Sequence, residues 1–474
     1  MSKHTIEANP VGPINGSPEQ NAYMEELERQ LTVDTEKLID IKNHFITEMI
    51  KGLNKPNHTL AMIPSYVEGR LTGEEKGHYL ALDLGGTNLR VVLVTLEGQG
   101  KFKTISTKAR VSDELKSGPM RNLCDYIADC IDTFLTEQNL GNVDEDLALG
   151  FTFSFPVLQS KINRGILTTW TKGFNCSGAV GKDPVLLLQD ALLRKHVPVK
   201  ITALVNDTVG TLLSNAYQKP NTLAGLILGT GSNGAYIEKM SNIGKWEKEN
   251  TTAHEMVINM ELGAFDNERT ILPLTRFDNK LDRKSINPHS QIFEKLISGM
   301  YLGEIVRNVI TDMMDRNLLF TQPGQSTEAI SAHYQFETSF MSSIEADGSK
   351  DLSTVREVLD TNLNLTNVTD VELRIVKRIC ELVGTRAARL AGAAIASIAI
   401  HTKVDRQGAD FGIDGSLYEF YPSFESRMYT ALAELMPDYA DDIRNIIRLG
   451  LARDGSGVGA ALTACVADRM FKTV

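Results

Sequence analysis

Leu82-Asp83-Leu84-Gly85-Gly86-Thr87-Asn88 and Leu226-Ile227-Leu228-Gly229-Thr230-Gly231-Ser232-Asn233 share one grammar. Each is an apolar run that ends in glycines and a small polar residue, then returns as a second β-rich run (to Leu96 and Glu238). Apolar β-rich runs joined by a glycine turn read as hairpins. Finding the same hairpin twice predicts a duplicated core of two lobes, each offering a hairpin tip to a shared cleft.

Outward from these hairpins, strand and helix patterns alternate in mixed order, which predicts an α/β fold. Leu27, Leu31, Leu38, Ile41, Phe45, Met49 and Leu53 recur at helical steps with a gap at Thr32–Asp34, predicting two helices capped there. Leu123–Leu135 and Val185–Leu193 read as helices, and Leu147–Leu158 and Ile201–Val205 as β-rich. Long helices are expected over Ile292–Leu319 and Val371–Ala399, and another within Glu425–Leu435. Residues 1–20, with three prolines and no apolar period, are expected to be a flexible tail. Residues 241–256 and 278–290 read as surface loops, and 322–370 as polar and irregular.

The chain has 474 residues, 49 Lys+Arg against 60 Asp+Glu, and 42% apolar residues. At about 150 residues per domain, two or three domains fit. The net charge of −11 argues against a nucleic-acid partner. The five cysteines include no Cys-x-x-Cys pair, so they read as buried thiols of a reducing compartment. With no apolar leader at the N-terminus, a cytoplasmic location is expected. The run Leu390–Ile400 has 11 residues where a bilayer needs about 20, so it reads as a core helix and not a membrane span.

Glycines at a hairpin tip let backbone N–H groups approach phosphate oxygens, and Thr87 and Arg90 add a hydroxyl and a charge. Asp83, at a strand end, is placed to meet a magnesium ion through water. A plain hairpin turn competes with this reading. Gly229–Gly234 matches the spacing of a dinucleotide fingerprint, which needs a helix to follow; Ala235-Tyr236-Ile237 continues as strand instead. Gly412-Ile413-Asp414-Gly415-Ser416 and Asp454-Gly455-Ser456-Gly457 are further turns suited to a ligand's close approach. Asp207 closes a strand, where it could accept a proton from a bound hydroxyl or simply cap a helix. Lys172, among Trp170 and Phe174, could steady negative charge or lie in solvent.

Taken in order, these motifs resemble the hexokinases and glucokinases, in particular the single-unit fungal enzymes. The resemblance rests on the segment 83–90, on Leu149-Gly150-Phe151-Thr152-Phe153-Ser154-Phe155-Pro156 and on Trp170-Thr171-Lys172-Gly173-Phe174. It continues through Asn206-Asp207-Thr208-Val209-Gly210-Thr211, 227–234, 293–304 and 454–461. It implies an actin-like ATPase (ribonuclease H-like) fold with a sugar/ATP cleft between lobes. The large lobe would comprise 21–77 and 207–448, the small lobe 78–206 and 449–474.

It also implies transfer of the ATP γ-phosphate to the 6-hydroxyl of glucose, and of fructose or mannose, at the head of glycolysis. Sugar contacts would come from Ser154, Phe155, Thr171, Lys172, Asn206, Asp207, Asn233, Glu261 and Glu294. Asp207 would be the base, with Lys172 and Arg90 assisting. ATP would meet Asp83, Gly85, Gly86, Thr87, Asn88, Arg90, Gly229, Thr230, Gly231, Gly415 and Ser416, with Mg²⁺ at Asp83. A monomer or weak homodimer is expected. An N-acetylglucosamine kinase and a scarcely catalytic glucose sensor are the rivals. Leu262, where many relatives carry an aromatic, leaves sugar selectivity open.

Overall fold

The computed structural model describes residues 7–141, 145–153, 155–246, 253–452 and 454–473. Two mixed sheets organise it. One has the order β4-β3-β2-β5-β8: β2 Lys76–Leu84, β3 Asn88–Gly98, β4 Lys101–Arg110, β5 Leu147–Phe153 and β8 Val199–Val205. The other has the order β1-β11-β10-β9-β12-β13: β1 Ile63–Glu68, β9 Thr222–Leu228, β10 Ser232–Lys239, β11 Glu255–Asn259, β12 Ala409–Asp414 and β13 Ile447–Leu451. Both run as three antiparallel strands followed by two parallel ones, and β1 adds an antiparallel edge to the second. The two glycine hairpins are β2–β3 and β9–β10, the equivalent pair in each sheet. A small hairpin, β6 Val157–Lys161 with β7 Arg164–Leu167, stands outside both sheets.

The alternation of buried and exposed positions follows from the layers. Leu80, Leu82, Leu84, Leu149 and Phe151 of the first sheet pack with the helices Met120–Glu137 and Pro184–Arg194 in one core. Its other face, with Ala81, Val92 and Ala203, belongs to the large core. There the C-terminal helix Ala460–Thr473 covers it, sitting on β2, β5 and β8, while Asp207–Gln218 packs against β9, β10 and β12 of the second sheet. The second sheet is backed by Thr35–Asn54 and Asp370–His401. The latter is the one helix among the described residues long and apolar enough to cross a membrane, yet 83% of its apolar window is buried inside the protein. Leu390–Ile400 falls within it, as a core helix should.

The two N-terminal helices are Pro18–Leu31 and Thr35–Asn54, the second capped by the Asp34 side chain on the Lys37 N–H. Five expectations need correction. Helix begins at Pro18, inside the expected tail, where Ser17 and Gln20 form a capping box. Before it, the N–H groups of Ala8, Asn9 and Val11 bond Ser423 Oγ, the Glu345 carbonyl and Glu381 Oε1, at 2.9, 3.0 and 2.8 Å. Prolines excluded helix from that stretch without preventing it from docking. Part of the expected loop 278–290 is the helix Arg276–Lys284, whose charges lie over only two buried apolar residues, Phe277 and Leu281.

The irregular stretch 322–370 holds helices Glu328–Ser331, Thr338–Ala346 and Ser353–Leu363; the first two are too short to display an apolar period, whereas the third carries one, at Val355, Val358, Leu359 and Leu363, that the sequence reading missed. The helix expected over 292–319 is two, Ile292–Ile297 and Gly299–Asp315, broken at extended Ser298. That break turns the N–H groups of Gly299 and Met300 onto the Gly229 and Thr230 carbonyls, at 2.8 and 3.1 Å. Finally, β13 carries the second sheet to Leu451, past the lobe boundary expected at 448.

Candidate active site

Both hairpin tips face the region between the sheets. In the first, the Gly85 N–H donates to the Asn88 carbonyl at 3.0 Å, and Asp83 stands opposite Arg90 in register. In the second, Gly229 N–H donates to the Gly231 carbonyl at 3.0 Å, after which the chain continues as strand β10. A dinucleotide helix is therefore absent at this fingerprint. Gly415, at φ 125°, closes against this tip: a Cβ there would lie 2.3 Å from the Leu228 carbonyl oxygen, so only glycine fits.

A cavity of about 570 Å³ opens between the sheets. The small lobe contributes Phe155, Thr171 and Lys172, and the end of β8 presents Asn206 and Asp207. The large lobe contributes Gly231, Asn233, Glu261 and Glu294. Eight of the nine residues expected to touch sugar are thus together; the ninth, Ser154, lies outside the described residues.

Asn206 caps the helix Asp207–Gln218, its side chain accepting the Thr208 N–H at 2.9 Å; Asp207 is that helix's first residue and accepts the same N–H at 2.9 Å. The capping reading of this pair is therefore correct, and both residues also line the cavity. Opposite, Glu261 sits in the left-handed region at φ 55° and accepts from Asn259 at 2.7 Å and Asn233 at 3.3 Å. Glu294 accepts the Ser232 N–H at 3.0 Å, leaving its other oxygen for a ligand.

Burial sets the electrostatics. It pushes the Asp207 carboxyl above the usual aspartate range; the Thr208 N–H and Lys172 oppose the shift, and Asp83 adds to it. It likewise raises Glu261, where Asn259 opposes and Asp207 reinforces, and Glu294, where Ser232 opposes and Glu261 reinforces. Lys172 is pushed down by desolvation, against the pull of Asp207 and Asp83. Its Nζ lies 5.6 Å from the Phe155 ring centroid, and Phe155 packs edge-on to Trp170, which stacks on Phe174. The aromatic cluster thus acts as the platform for the lysine.

Arg90 is not free at the first tip. Its guanidinium makes a bidentate pair with Asp454, at 2.6 and 2.7 Å. Asp454 is in turn held in the left-handed region by the Gly457 N–H. The glycines that follow serve packing: a Cβ on Gly459 would lie 2.1 Å from the Gly210 carbonyl oxygen, so this turn lies backbone to backbone on the Asp207 helix. The ligand-facing role expected of that turn is corrected accordingly.

Asp83, raised chiefly by burial and also by Asp454, and Asp414, raised by burial and by Asp454 and Asp207, complete an acidic set around the tips. Among the described residues no group of three or more His, Cys, Asp or Glu is arranged to hold a metal by itself. The repelling carboxylates at the tip do suit a divalent cation brought in with phosphates.

A second cavity, of about 490 Å³, begins at Thr230 and Ser416 and runs between Met300, Tyr334, Thr338 and Phe420. The sequence reading named Asp414 only as part of a glycine turn, and it missed Asn259 and Gln291, which line the first cavity. Asn259 and Asp414 stand at strand ends, a signal also carried by the detected Asp207; Gln291 carried none.

The comparisons agree with this geometry. Two family models, both described as hexokinase, match residues 23–217 and 223–466. A hexokinase from Kluyveromyces lactis is 42% identical over 454 residues, covering 94% of this chain and 91% of that protein. A glucokinase from Aspergillus niger is 41% identical over 460 residues, covering 90% and 92%. The solved hexokinase from Schistosoma mansoni, complexed with glucose, is 37% identical with a TM-score of 0.81, covering 95% of this chain and 99% of that one. With two duplicated sheets around a cleft and this likeness over nearly its whole length, the chain belongs to the hexokinase family and has its two-lobed actin-like ATPase fold.

Proposed function

We propose that the protein transfers the γ-phosphate of ATP to the 6-hydroxyl of glucose, with fructose and mannose as further substrates, at the head of glycolysis. The observation that carries this reading is Asp207, a half-buried carboxylate within one cavity with Lys172, Asn233, Glu261 and Glu294. A hexose is recognised through its hydroxyls, and this set supplies acceptors and donors for several of them. A sugar bridging Lys172 on one lobe and Glu261 on the other draws the lobes together and excludes water, the competing nucleophile.

Asp207 takes the proton of the 6-hydroxyl as it attacks, and Lys172 orients the sugar and balances developing charge. The hairpin tips, with Gly85, Gly86, Thr87, Asn88, Gly229, Thr230 and Gly231, receive the phosphates. The cavity beyond Thr230 and Ser416, next to Gly415, takes the nucleoside. Arg90 exchanges its Asp454 partner for phosphate. Asp83 would hold Mg²⁺ through water, and the ion would supply neutralisation of phosphate charge. The lobes divide near residues 78 and 206 and just after β13. The protein works in the cytoplasm, spans no membrane, and is a monomer or weak homodimer.

The test is a coupled assay on glucose, fructose, mannose and N-acetylglucosamine with Asp207→Ala alongside. The variant is expected to bind glucose within a few-fold of wild type and to lose turnover by about 10²–10⁴-fold. Near-wild-type turnover refutes the base assignment, and preference for N-acetylglucosamine moves the substrate to the rival sugar.

A further inference from the structure

Glu294 lines the sugar cavity, whereas its neighbour Lys295 is buried with a side chain only 3% exposed. A buried ammonium is costly unless its donors are filled. All three are: Nζ donates to Asp282 Oδ1 at 2.7 Å and to the carbonyls of Asn287 and Ser290, each at 2.8 Å. Asp282, itself buried, also accepts the His289 N–H at 3.0 Å and a bond from Arg269.

The lysine and its counterion therefore grip both ends and the middle of one four-residue turn, 287–290. The outer side of this segment gains little from packing, since Ile286 is 82% exposed. The turn delivers Gln291, which lines the cavity in a left-handed conformation, φ 55° and ψ 43°. A non-glycine residue holds that conformation only where its surroundings impose it.

We propose that Lys295 is a positioning residue for the sugar: by pinning the 287–290 turn it holds Gln291 in place beside Glu294, so that the floor of the cavity is formed before sugar arrives. This rests on the hexose reading of the cavity. It assigns the lysine of the Phe293-Glu294-Lys295 segment to substrate geometry, with no direct contact to substrate.

The test measures glucose binding by titration and both KM values for wild type, Lys295→Met, Gln291→Ala and the double variant. Lys295→Met is expected to raise the KM for glucose about tenfold or more while the KM for ATP stays within about twofold. With Gln291→Ala already present, it is expected to add less than about threefold, because both changes remove one arrangement.

A role in stability alone would lower the denaturation midpoint and leave the glucose KM unmoved; that result, or full multiplication of the two effects, overturns the proposal. Should Lys295→Met not fold, Asp282→Asn keeps the acceptor, weakens the clamp and is expected to show the same split on a smaller scale. An unchanged glucose KM there also overturns it. A wild-type protein that binds no glucose overturns the hexose reading itself, whereas glucose binding with an unmoved Lys295→Met overturns only the role of Lys295.

Discussion

Asp207 works as a base only if it is ionised at working pH, yet burial raises its pKa, Thr208 and Lys172 pull it down, and Asp83 pushes it up. The sign follows from each charge. A base is active above its pKa, so the acid limb of kcat/KM for glucose lies above the ordinary aspartate range, and activity is lost as pH falls through that raised value. Lys172→Met removes a favourable charge and moves the limb toward neutral pH. Asp83→Asn removes a repelling one and moves it toward acid. The pH profiles of the three proteins check this, and limbs that coincide would detach Asp207 from both neighbours. The tip arginine carries a second residue-scale expectation. Asp454→Asn loosens the bidentate pair on Arg90, so the KM for ATP shifts by severalfold while the glucose KM holds; steady-state kinetics decides it.

At the scale of elements, the site depends on close packing more than on the glycine tips. The helix that begins at Asp207 touches the 455–459 turn through Gly210, where a Cβ would lie 2.2 Å from the Gly455 carbonyl oxygen. Both sides of that contact are backbone, so neither can yield by rotating a side chain. Gly210→Ala therefore has to part the elements; overpacking of this kind costs about 1–3 kcal/mol. Because the same helix carries Asp207, urea denaturation should show the loss of stability and kinetics a fall in kcat. A fully active, equally stable variant would mean that the contact is slack. The break at Ser298 has an equivalent role, since it lets one helix terminus secure the second tip.

For the whole molecule, the cleft is bridged by few strands of chain. One crosses between β1 and β2, where the Glu75 carboxylate accepts the Thr72 and Gly73 N–H groups at 2.9 Å each and a bond from Arg469 at 3.0 Å. Buried Tyr217 donates to the Glu75 carbonyl at 2.8 Å and so ties that crossing to the Asp207 helix. Carboxylates on the large lobe and Lys172 on the small lobe leave a hexose as the bridge between them. Glucose is expected to reduce the radius of gyration in small-angle scattering. Glu261→Ala should abolish that compaction with ATP binding retained. Compaction by ATP alone would argue that the sugar does not drive closure.

The duplicated hairpins, the two N-terminal helices and Asp207 at a strand end were legible because each is a local pattern: period, cap and turn chemistry depend on neighbours in sequence. The residues proposed to bind sugar became legible together only through their order along the chain, since Glu261 and Glu294 say nothing singly. The two shorter helices of 322–370 were hidden because so few turns carry no readable period, whereas the spacing of Val355, Val358, Leu359 and Leu363 in the third went unread.

The sequence by itself therefore determined the mixed α/β class, the repeat of one sheet plan and the chemistry available at each tip. Only tertiary structure decided that Arg90 is held by Asp454, that the 455–459 glycines meet a helix backbone, and that Asn259 and Gln291 line the cavity. Those are contacts between segments far apart in the chain. Their energies depend on distance, burial and direction in space, none of which a linear pattern encodes.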